Sequence, residues 1–280
     1  MNNYNLLKLI PLRFRLKLYY LLKFKRYLNL SNPKLYTEKL QYRKLNLLPI
    51  YSELSDKYLV RKFIKNRIGE QYLIPLISSH NDTSSINFEL LPPKFVIKTN
   101  FGSGDEHIEI VKNKKEISQS GIISKFNKAM NSSYKGTILG ENQYESIEKK
   151  IIIEEFIESK FGDIDDFKFH VFNSKDGFLQ IDFDRFSDHK RNLYDMEFNL
   201  LPHSLCYPKG NYTLPNIELL KDMKEIAFRL SEGFDYVRVD LYLVDNSILF
   251  GEMTFTPGSG FEKFSSNHPD KLYGEIWEQK

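Results

Sequence analysis

Tyr236-Val237-Arg238-Val239-Asp240-Leu241-Tyr242 is followed, after a short polar break, by Leu249-Phe250-Gly251-Glu252-Met253-Thr254-Phe255-Thr256-Pro257-Gly258-Ser259-Gly260. Successive side chains of a strand point to opposite faces, so Arg238, Asp240 and Tyr242 share one face while Val237, Val239 and Leu241 share the other. Val244-Asp245-Asn246-Ser247 carries hairpin-turn chemistry, and the returning strand, Ile248 to Thr254, is expected to set Glu252 beside Asp240. Two carboxylates held close repel unless a cation lies between them. Magnesium suits such a pair, because it takes few protein carboxylates and completes its shell with water and phosphate oxygens. The plainer reading is a surface hairpin with solvated acids. The glycine-rich Thr256-Pro257-Gly258-Ser259-Gly260 run favours the first, since glycine lets backbone approach a ligand.

A chain of 280 residues, 41% hydrophobic and 14% aromatic, is long enough to bury a core and is not a disordered tail. Its single cysteine, Cys206, excludes an internal disulfide framework and any cysteine-rich metal cluster. No apolar run reaches transmembrane length and no secretory signal is seen, so a cytoplasmic protein is expected. The net charge of +3 is unevenly spread: residues 1–50 hold eleven Lys and Arg against one acid, Glu38. Interleaved leucine and tyrosine make this a basic, aromatic-rich helical segment. Two readings stand side by side. Residues 1–30 lie on an anionic membrane surface at the inner face, or the apolar side chains dock on the main domain while the lysines stay solvated. No RNA- or DNA-binding motif accompanies the charge, so nucleic acid is not an expected partner.

Along the chain, Ser31-Asn32-Pro33 is a break, Thr37 is a helix N-cap candidate, Pro49 ends that helix, and a second helix runs from Ser52 to Gly69. Tyr72-Leu73-Ile74-Pro75-Leu76-Ile77 reads as a short strand. Phe95-Val96-Ile97-Lys98-Thr99-Asn100 is a strand entering the small-residue loop Phe101-Gly102-Ser103-Gly104-Asp105, where backbone N–H groups and the Ser103 hydroxyl could meet phosphate, with Lys98 adding positive charge. An ordinary glycine turn would look the same. Residues 112–150 are polar, helical or loop, with no nameable chemistry. Ile151-Ile152-Ile153-Glu154-Glu155-Phe156-Ile157 is a buried strand. Asp166 to Phe172 and Phe178 to Phe186 alternate cleanly, aligning Asp166, Lys168 and His170 on one strand and Gln180, Asp182 and Asp184 on the other. A helix over Met223 to Leu230 closes at Gly233. His170 and His189 lack metal-ligand spacing and are given no catalytic part.

Taken in order, these pieces resemble the ATP-grasp superfamily and, within it, the TupA-like branch found among bacterial surface-polysaccharide biosynthesis proteins. The likeness is carried by Asn32-Pro33-Lys34, Asp56-Lys57-Tyr58 with Arg61, Phe95-Val96-Ile97-Lys98 with Gly102-Ser103-Gly104, Ile153-Glu154-Glu155-Phe156, Asp166-Phe167-Lys168-Phe169, Asp182-Phe183-Asp184-Arg185-Phe186, Arg238-Val239-Asp240, and Gly251 through Phe261. It implies an α+β fold in which two α+β lobes clamp ATP. Residues 1–50 would form a basic helical extension, 51–155 the N-terminal and small lobe, and 156–280 the C-terminal lobe with the metal site. By the same resemblance, Arg61 and Lys98 hold the nucleotide phosphates under the Gly102-Ser103-Gly104 loop. Glu154, Glu155, Phe156 and Ile157 receive adenine through backbone groups, and Asp166 takes the ribose. Asp240 and Glu252 match magnesium ligands. Thr254 stands where many relatives carry a ligating Asn, which puts a two-metal arrangement in question. Arg238 matches a cation that neutralises the transferring phosphoryl group, and Lys168 and Arg185 are further catalytic candidates.

The resemblance implies carboxylate–amine ligation: ATP converts a carboxylate to an acyl phosphate, and an amine displaces the phosphate to give an amide. The cofactors would be ATP and Mg2+, and the partners a small-molecule or glycan-linked carboxylate, such as a sugar acid of a capsule precursor, and an amine. Phosphoryl transfer needs positioning and charge neutralisation rather than a protein nucleophile, and the cations named above supply it. Other readings stay open. Asp182-Phe183-Asp184 is an Asp-x-Asp of the kind metal-dependent glycosyltransferases use. A kinase of a polysaccharide precursor, or a nucleotide-binding protein without turnover, would use the same ATP chemistry.

Overall fold

The computed structural model describes residues 7–159, 164–184 and 187–279. It is a mixed α/β chain with two antiparallel sheets and divides into two compact units. One comprises Leu48–Thr137 and Asn142–Glu158, the other Met1–Leu47, Ile138–Glu141 and Ser159–Lys280.

The first unit is built on a four-stranded sheet of β1 (Leu76–His80), β2 (Phe95–Thr99), β3 (Ile108–Val111) and β4 (Ile151–Glu155), in the order β1-β4-β2-β3. Phe95, Ile97, Val111, Ile151 and Ile153 form its apolar face and pack with Ile122 and Phe126 of the helix Gln119–Met130. The strand expected over Tyr72–Ile77 begins only at Leu76, because Glu70–Tyr72 turns as a 3-10 helix and Pro75 carries no N–H for a ladder. One helix was expected from Ser52 to Gly69, but two form, Pro49–Ser55 and Val60–Arg67. Pro49 opens the first of them as its initial residue, where a missing N–H costs nothing. Between them the buried Asp56 carboxylate accepts the N–H groups of Tyr58 (2.7 Å) and Leu59 (3.2 Å), so the chain turns and restarts.

The second unit is built on five antiparallel strands, β5 (Asp166–Phe172), β6 (Asp176–Phe183), β7 (Lys190–Tyr194), β8 (Tyr236–Val244) and β9 (Ser247–Thr254), ordered β7-β6-β5-β8-β9. Numbering the helices in chain order, α1 (Leu12–Phe24) and α2 (Tyr36–Leu45) are followed by α3 and α4, the pair Pro49–Ser55 and Val60–Arg67, and by α5, Gln119–Met130. The last two are α6 (Ile217–Ser231) and α7 (Asn267–Ile276). The amphipathic α6, longer than expected because Asn216 caps it through the Glu218 N–H, runs against β5 and β8 with Leu220, Met223, Ala227 and Leu230 buried.

The basic N-terminal helices belong to this second unit. Glu38, not Thr37, caps α2: its carboxylate reaches back to the N–H groups of Lys34 (2.9 Å) and Leu35 (3.2 Å). Thr37 instead donates its N–H (2.8 Å) and hydroxyl (2.9 Å) to the buried Asp270. Tyr36 and Leu40 enter an aromatic core with Phe172, Phe178, Tyr236, Phe264, Tyr273 and Trp277. Arg43 lies over the Trp277 ring, 4.5 Å from its centroid, and pairs with Asp235, which also accepts the indole N–H. Trp277 is fully buried. Trp277→Ala is therefore expected to destabilise the chain by about 3–5 kcal/mol, read from urea unfolding by circular dichroism. A loss below about 1 kcal/mol would show that the indole is not the anchor of this core.

Candidate active site

The Asp245-Asn246 turn has φ of 48° and 70°, the paired left-handed geometry of a tight hairpin, and it fixes the register of β8 against β9. Asp240 lies directly opposite Glu252, and Arg238 opposite Thr254; an unbroken count from the turn would have set Val239 opposite Glu252. The register slips just past Asp240, at Gly251, where an added Cβ would sit 3.0 Å from both the Asp240 carbonyl and the Tyr242 ring. Glycine at that bulge lets the strand turn its carboxylate without a clash.

The same register carries the polar face across the whole sheet. Lys168 lies opposite Asp240 on one side and Gln180 on the other, Asp166 opposite Asp182, and Asp182 opposite Arg191. Arg238 donates Nε to Asp240 Oδ1 and Nη2 to Oδ2, both at 2.7 Å, and the same Nη2 reaches Glu252 Oε1 at 2.9 Å. The Thr254 hydroxyl accepts from Arg238 (3.1 Å) and donates to Glu252 (3.0 Å). Lys168 Nζ stands 2.8 Å from Asp166, 3.4 Å from Asp182 and 3.8 Å from Asp240. Arg191 joins Asp182 (2.6 Å) to Glu262 (2.8 Å). Of these side chains, Glu252 is the more open end, at 35% exposure against 5% for Asp240.

Electrostatics divide this belt. Burial resists ionisation of Asp182, yet Arg191 and Lys168 hold its carboxyl well below the usual range. At Asp240 burial wins: against the pull of Arg238 and Lys168, and with Glu252 adding repulsion, the carboxyl is pushed up to about 6. Three cations, Lys168, Arg191 and Arg238, face five carboxylates, Asp166, Asp182, Asp240, Glu252 and Glu262. Among the described residues no group of three or more His, Cys, Asp or Glu is set to hold a metal by itself. A hard ion that needs only one or two carboxylates, with phosphate oxygens for the rest, matches the Asp240 and Glu252 oxygens.

Around the turn that follows β9 lies a set of groups the sequence did not disclose. Glu141, in the stretch 112–150 that carried no nameable chemistry, is a buried carboxylate accepting the Thr256 hydroxyl at 3.0 Å. Lys44 Nζ donates to the carbonyls of Leu139 (2.5 Å) and Ser259 (2.8 Å). Burial pushes the Lys44 ammonium down to about 7 and raises Glu141, each opposed by the other's charge. Gln41 Nε2 donates to the Gly260 carbonyl at 2.9 Å. Together they clamp a turn in which Gly258, Ser259 and Gly260 all have left-handed φ, 53°, 53° and 68°. For Ser259 that conformation costs about 1–2 kcal/mol, so the clamp holds a turn the chain would otherwise leave.

In the four-stranded unit, Arg61 and Lys98 converge on one acid. Glu154, 6% exposed, takes Arg61 Nη1 on one oxygen (3.2 Å) and Lys98 Nζ on the other (2.6 Å), while Arg61 Nη2 also donates to the Ile74 carbonyl (2.8 Å). The Glu154 side chain thus orients the two expected phosphate-binding cations. Its backbone and that of Glu155 lie in the sheet, paired with Val96 and Phe95, and the Glu155 N–H donates to Pro75. Of the four residues expected at the adenine, Phe156 and Ile157 are the two beyond the strand's end. In the loop, the Gly102 carbonyl accepts Lys57 Nζ (2.8 Å), and a Cβ on Gly102 would collide with the His107 ring. Ser103 and Gly104 are exposed, with Ser103 Oγ 2.8 Å from the Tyr134 hydroxyl.

The remaining candidates separate. Asp184 leaves the strand with φ 52° and is exposed, while Asp182 is taken up by Arg191 and Lys168. The Asp-x-Asp is not presented as a pair. Arg185 lies outside the described residues. His170 is fully buried, stacked on Phe178 and bonded to Tyr236 (2.8 Å), and burial holds it neutral. His189 stacks on Tyr207 and contacts Asp182 (3.1 Å).

Among curated proteins, none matches this chain. Among solved structures it is similar to an L-amino acid ligase from Bacillus licheniformis, with 15% identity and a TM-score of 0.50 over 87% of this chain and 56% of that one. It is also similar to D-alanine–D-alanine ligases from Bacillus anthracis (15% identity, TM-score 0.48, 82% of this chain and 67% of that one) and Helicobacter pylori (18%, 0.48, 81% and 60%). The chain thus spans little more than half to two thirds of the length of these structures. The TupA-like ATPgrasp family model matches residues 38–278. That range takes in the Arg61, Lys98 and Glu154 triad and the whole charged belt, and the chain belongs to the TupA-like ATP-grasp family.

Proposed function

We propose that this protein is an ATP-dependent carboxylate–amine ligase. The observation that carries the proposal is the Asp240–Glu252 pair, set opposite one another and bridged by Arg238 on the polar face of the sheet. Asp240 and Glu252 would hold magnesium, which supplies charge neutralisation on phosphate oxygens. Thr254, already bonded to Arg238 and Glu252, keeps the Glu252 carboxylate aimed. Arg61 and Lys98 bind the nucleotide phosphates, the Gly102-Ser103-Gly104 loop covers them, Phe156 and Ile157 take the adenine edge, and Asp166 takes the ribose.

The γ-phosphoryl group passes to a carboxylate oxygen of the substrate, breaking the bond to the β-phosphate oxygen and releasing ADP. The acyl phosphate has what a carboxylate lacks, a good leaving group. An amine attacks its carbonyl carbon, phosphate departs with the electron pair of the carbon–oxygen bond, and the amine gives up a proton as the amide forms. Arg238 and Lys168 stabilise the negative charge that develops, which is the main task in phosphoryl and acyl transfer. The substrates we favour are a sugar acid of a surface-polysaccharide precursor and an amino acid or amine, on the strength of the family's TupA-like branch. The enzyme would act on the cytoplasmic side.

Glu252→Gln and Lys98→Met should each lower ADP release by about 10²–10³-fold, since one group that stabilises transferring charge is worth that much. The readout is ADP and phosphate production across a panel of sugar acids and amines, with product mass separating an amide from a phosphorylated alcohol. Full activity in both variants would remove the assignment.

Magnesium affinity should depend on pH through Asp240. A carboxyl raised to about 6 stabilises the metal-free fold fully below the ordinary carboxyl range and loses that contribution as pH rises through about 6. Magnesium binds the ionised form, so protons compete with it below that pH. Thermal stabilisation by magnesium with an ATP analogue should require about tenfold more metal at pH 5 than at pH 7.5. The same requirement at both pH values would show that Asp240 does not ligate the ion.

A further inference from the structure

Helix α1 has two different faces. Its inner face is anchored: Leu16 and Tyr20 are fully buried and pack with Leu28 and Leu30, joined by Tyr42, Leu45 and Phe261. Arg15 donates to the carbonyls of Ile10 (2.9 Å) and Ile138 (2.6 Å), and the Tyr20 hydroxyl pairs with Thr37 (2.8 Å). The outer face is apolar where water would be expected. Phe14, Leu18 and Leu22, four residues apart and so stacked along one ridge, are 64%, 54% and 57% exposed. Leu9 (75%) and Ile10 (41%) precede the ridge and Tyr27 (85%) follows it. These six account for six of the fifteen exposed large hydrophobic residues among those described, gathered in nineteen consecutive positions. Scattered exposed leucines are ordinary, but a continuous ridge is not.

The charge around the ridge is of one sign. Lys8, Arg13, Lys17, Lys23 and Lys25 are exposed in the same segment, and no Asp or Glu occurs before Glu38. A second copy of this chain would bring cation against cation, so the charge opposes self-association through this face. An anionic bilayer complements both features: its acyl boundary accepts the apolar ridge while its headgroups meet the lysines and arginines. No helix among the described residues is long and apolar enough to cross a membrane, so the helix would lie in the plane of the surface. We propose that α1 and the residues flanking it, Lys8 to Tyr27, form an interfacial anchor for anionic lipid, with Phe14, Leu18 and Leu22 inserted and Arg13, Lys17 and Lys25 at headgroup level. The proposal does not depend on the ligase reading, since none of these residues is placed in its machinery.

The test is vesicle sedimentation of the full chain with phosphatidylcholine alone and with a 7:3 mixture of phosphatidylcholine and phosphatidylglycerol. Partitioning should favour the anionic vesicles at least about tenfold and weaken with added salt, given roughly fivefold per surface cation. Two variants, Phe14→Ser/Leu18→Ser/Leu22→Ser and Arg13→Glu/Lys17→Glu, should each lose about tenfold or more of that partitioning while keeping the wild-type circular dichroism and melting temperature, because the substituted side chains are exposed. Equal partitioning to both vesicle types, none to either, or binding that both variants retain would overturn the proposal. So would sedimentation-velocity evidence of a dimer that the triple variant abolishes, since the ridge would then be a contact between copies.

Discussion

Arg238 is the group on which the rest of the charged belt depends. It spans two strands, holding both oxygens of Asp240 and one of Glu252 through a guanidinium buried in the sheet. Taking ions out of water costs several kcal/mol each, and mutual attraction offsets this only where geometry is good and the remaining hydrogen-bonding sites are filled. Here the planar fork meets a carboxylate edge-on, Thr254 accepts a further guanidinium hydrogen bond, and the Lys168 ammonium stands 3.8 Å from Asp240 as a second positive charge. Such a network is weak evidence for stability. It is better explained as preorganisation for a charged ligand, the more so because Glu252 is its open end.

The fold sets up this array by ordinary means. Alternation puts apolar residues of β5, β6 and β8 toward one layer, with α6 against β5 and β8, and leaves the polar set on the other face. At one end that second face turns aromatic, where His170, Phe172, Phe178 and Tyr236 are closed over by α2 and α7. The buried Lys44 and Glu141 sit close to the belt, Glu141 feeling the charges of Arg238 and Glu252. They act through Thr256 and Ser259, holding a left-handed turn immediately after β9. Strain of this kind persists only when its surroundings over-determine it, and it gathers where function needs a fixed backbone.

Much of this was legible in the residues. The Val244-Asp245-Asn246-Ser247 turn determines the register only as far as Leu241 opposite Phe250; counted on without a break it would set Val239 opposite Glu252, and the extra residue at Gly251 is what brings Glu252 to Asp240. The belt's partners across β5 and β6 follow from the same two-residue period once the strands are ordered. Other features were not local. Glu141 lies more than a hundred residues from Thr256, and nothing in the polar stretch around it marks it as buried. Glu154 was expected to matter through its backbone, and its carboxylate also orients Arg61 and Lys98, a relation created by the diagonal placement of Lys98 on the neighbouring strand and of Arg61 on α4. The helix break at Asp56 and the cap from Glu38 depend on which N–H groups tertiary packing leaves over. Periodicity does not carry that information.

We propose the Arg238–Asp240–Glu252 array as a magnesium–nucleotide site. Calorimetric titration of the full chain with a non-hydrolysable ATP analogue, with and without magnesium and repeated on Asp240→Asn, tests it most directly. Magnesium should tighten binding at least about tenfold, and the substitution should remove most of that gain while leaving the metal-free titration little changed. Nucleotide binding that ignores magnesium in the wild-type chain, or no binding under either condition, would contradict it.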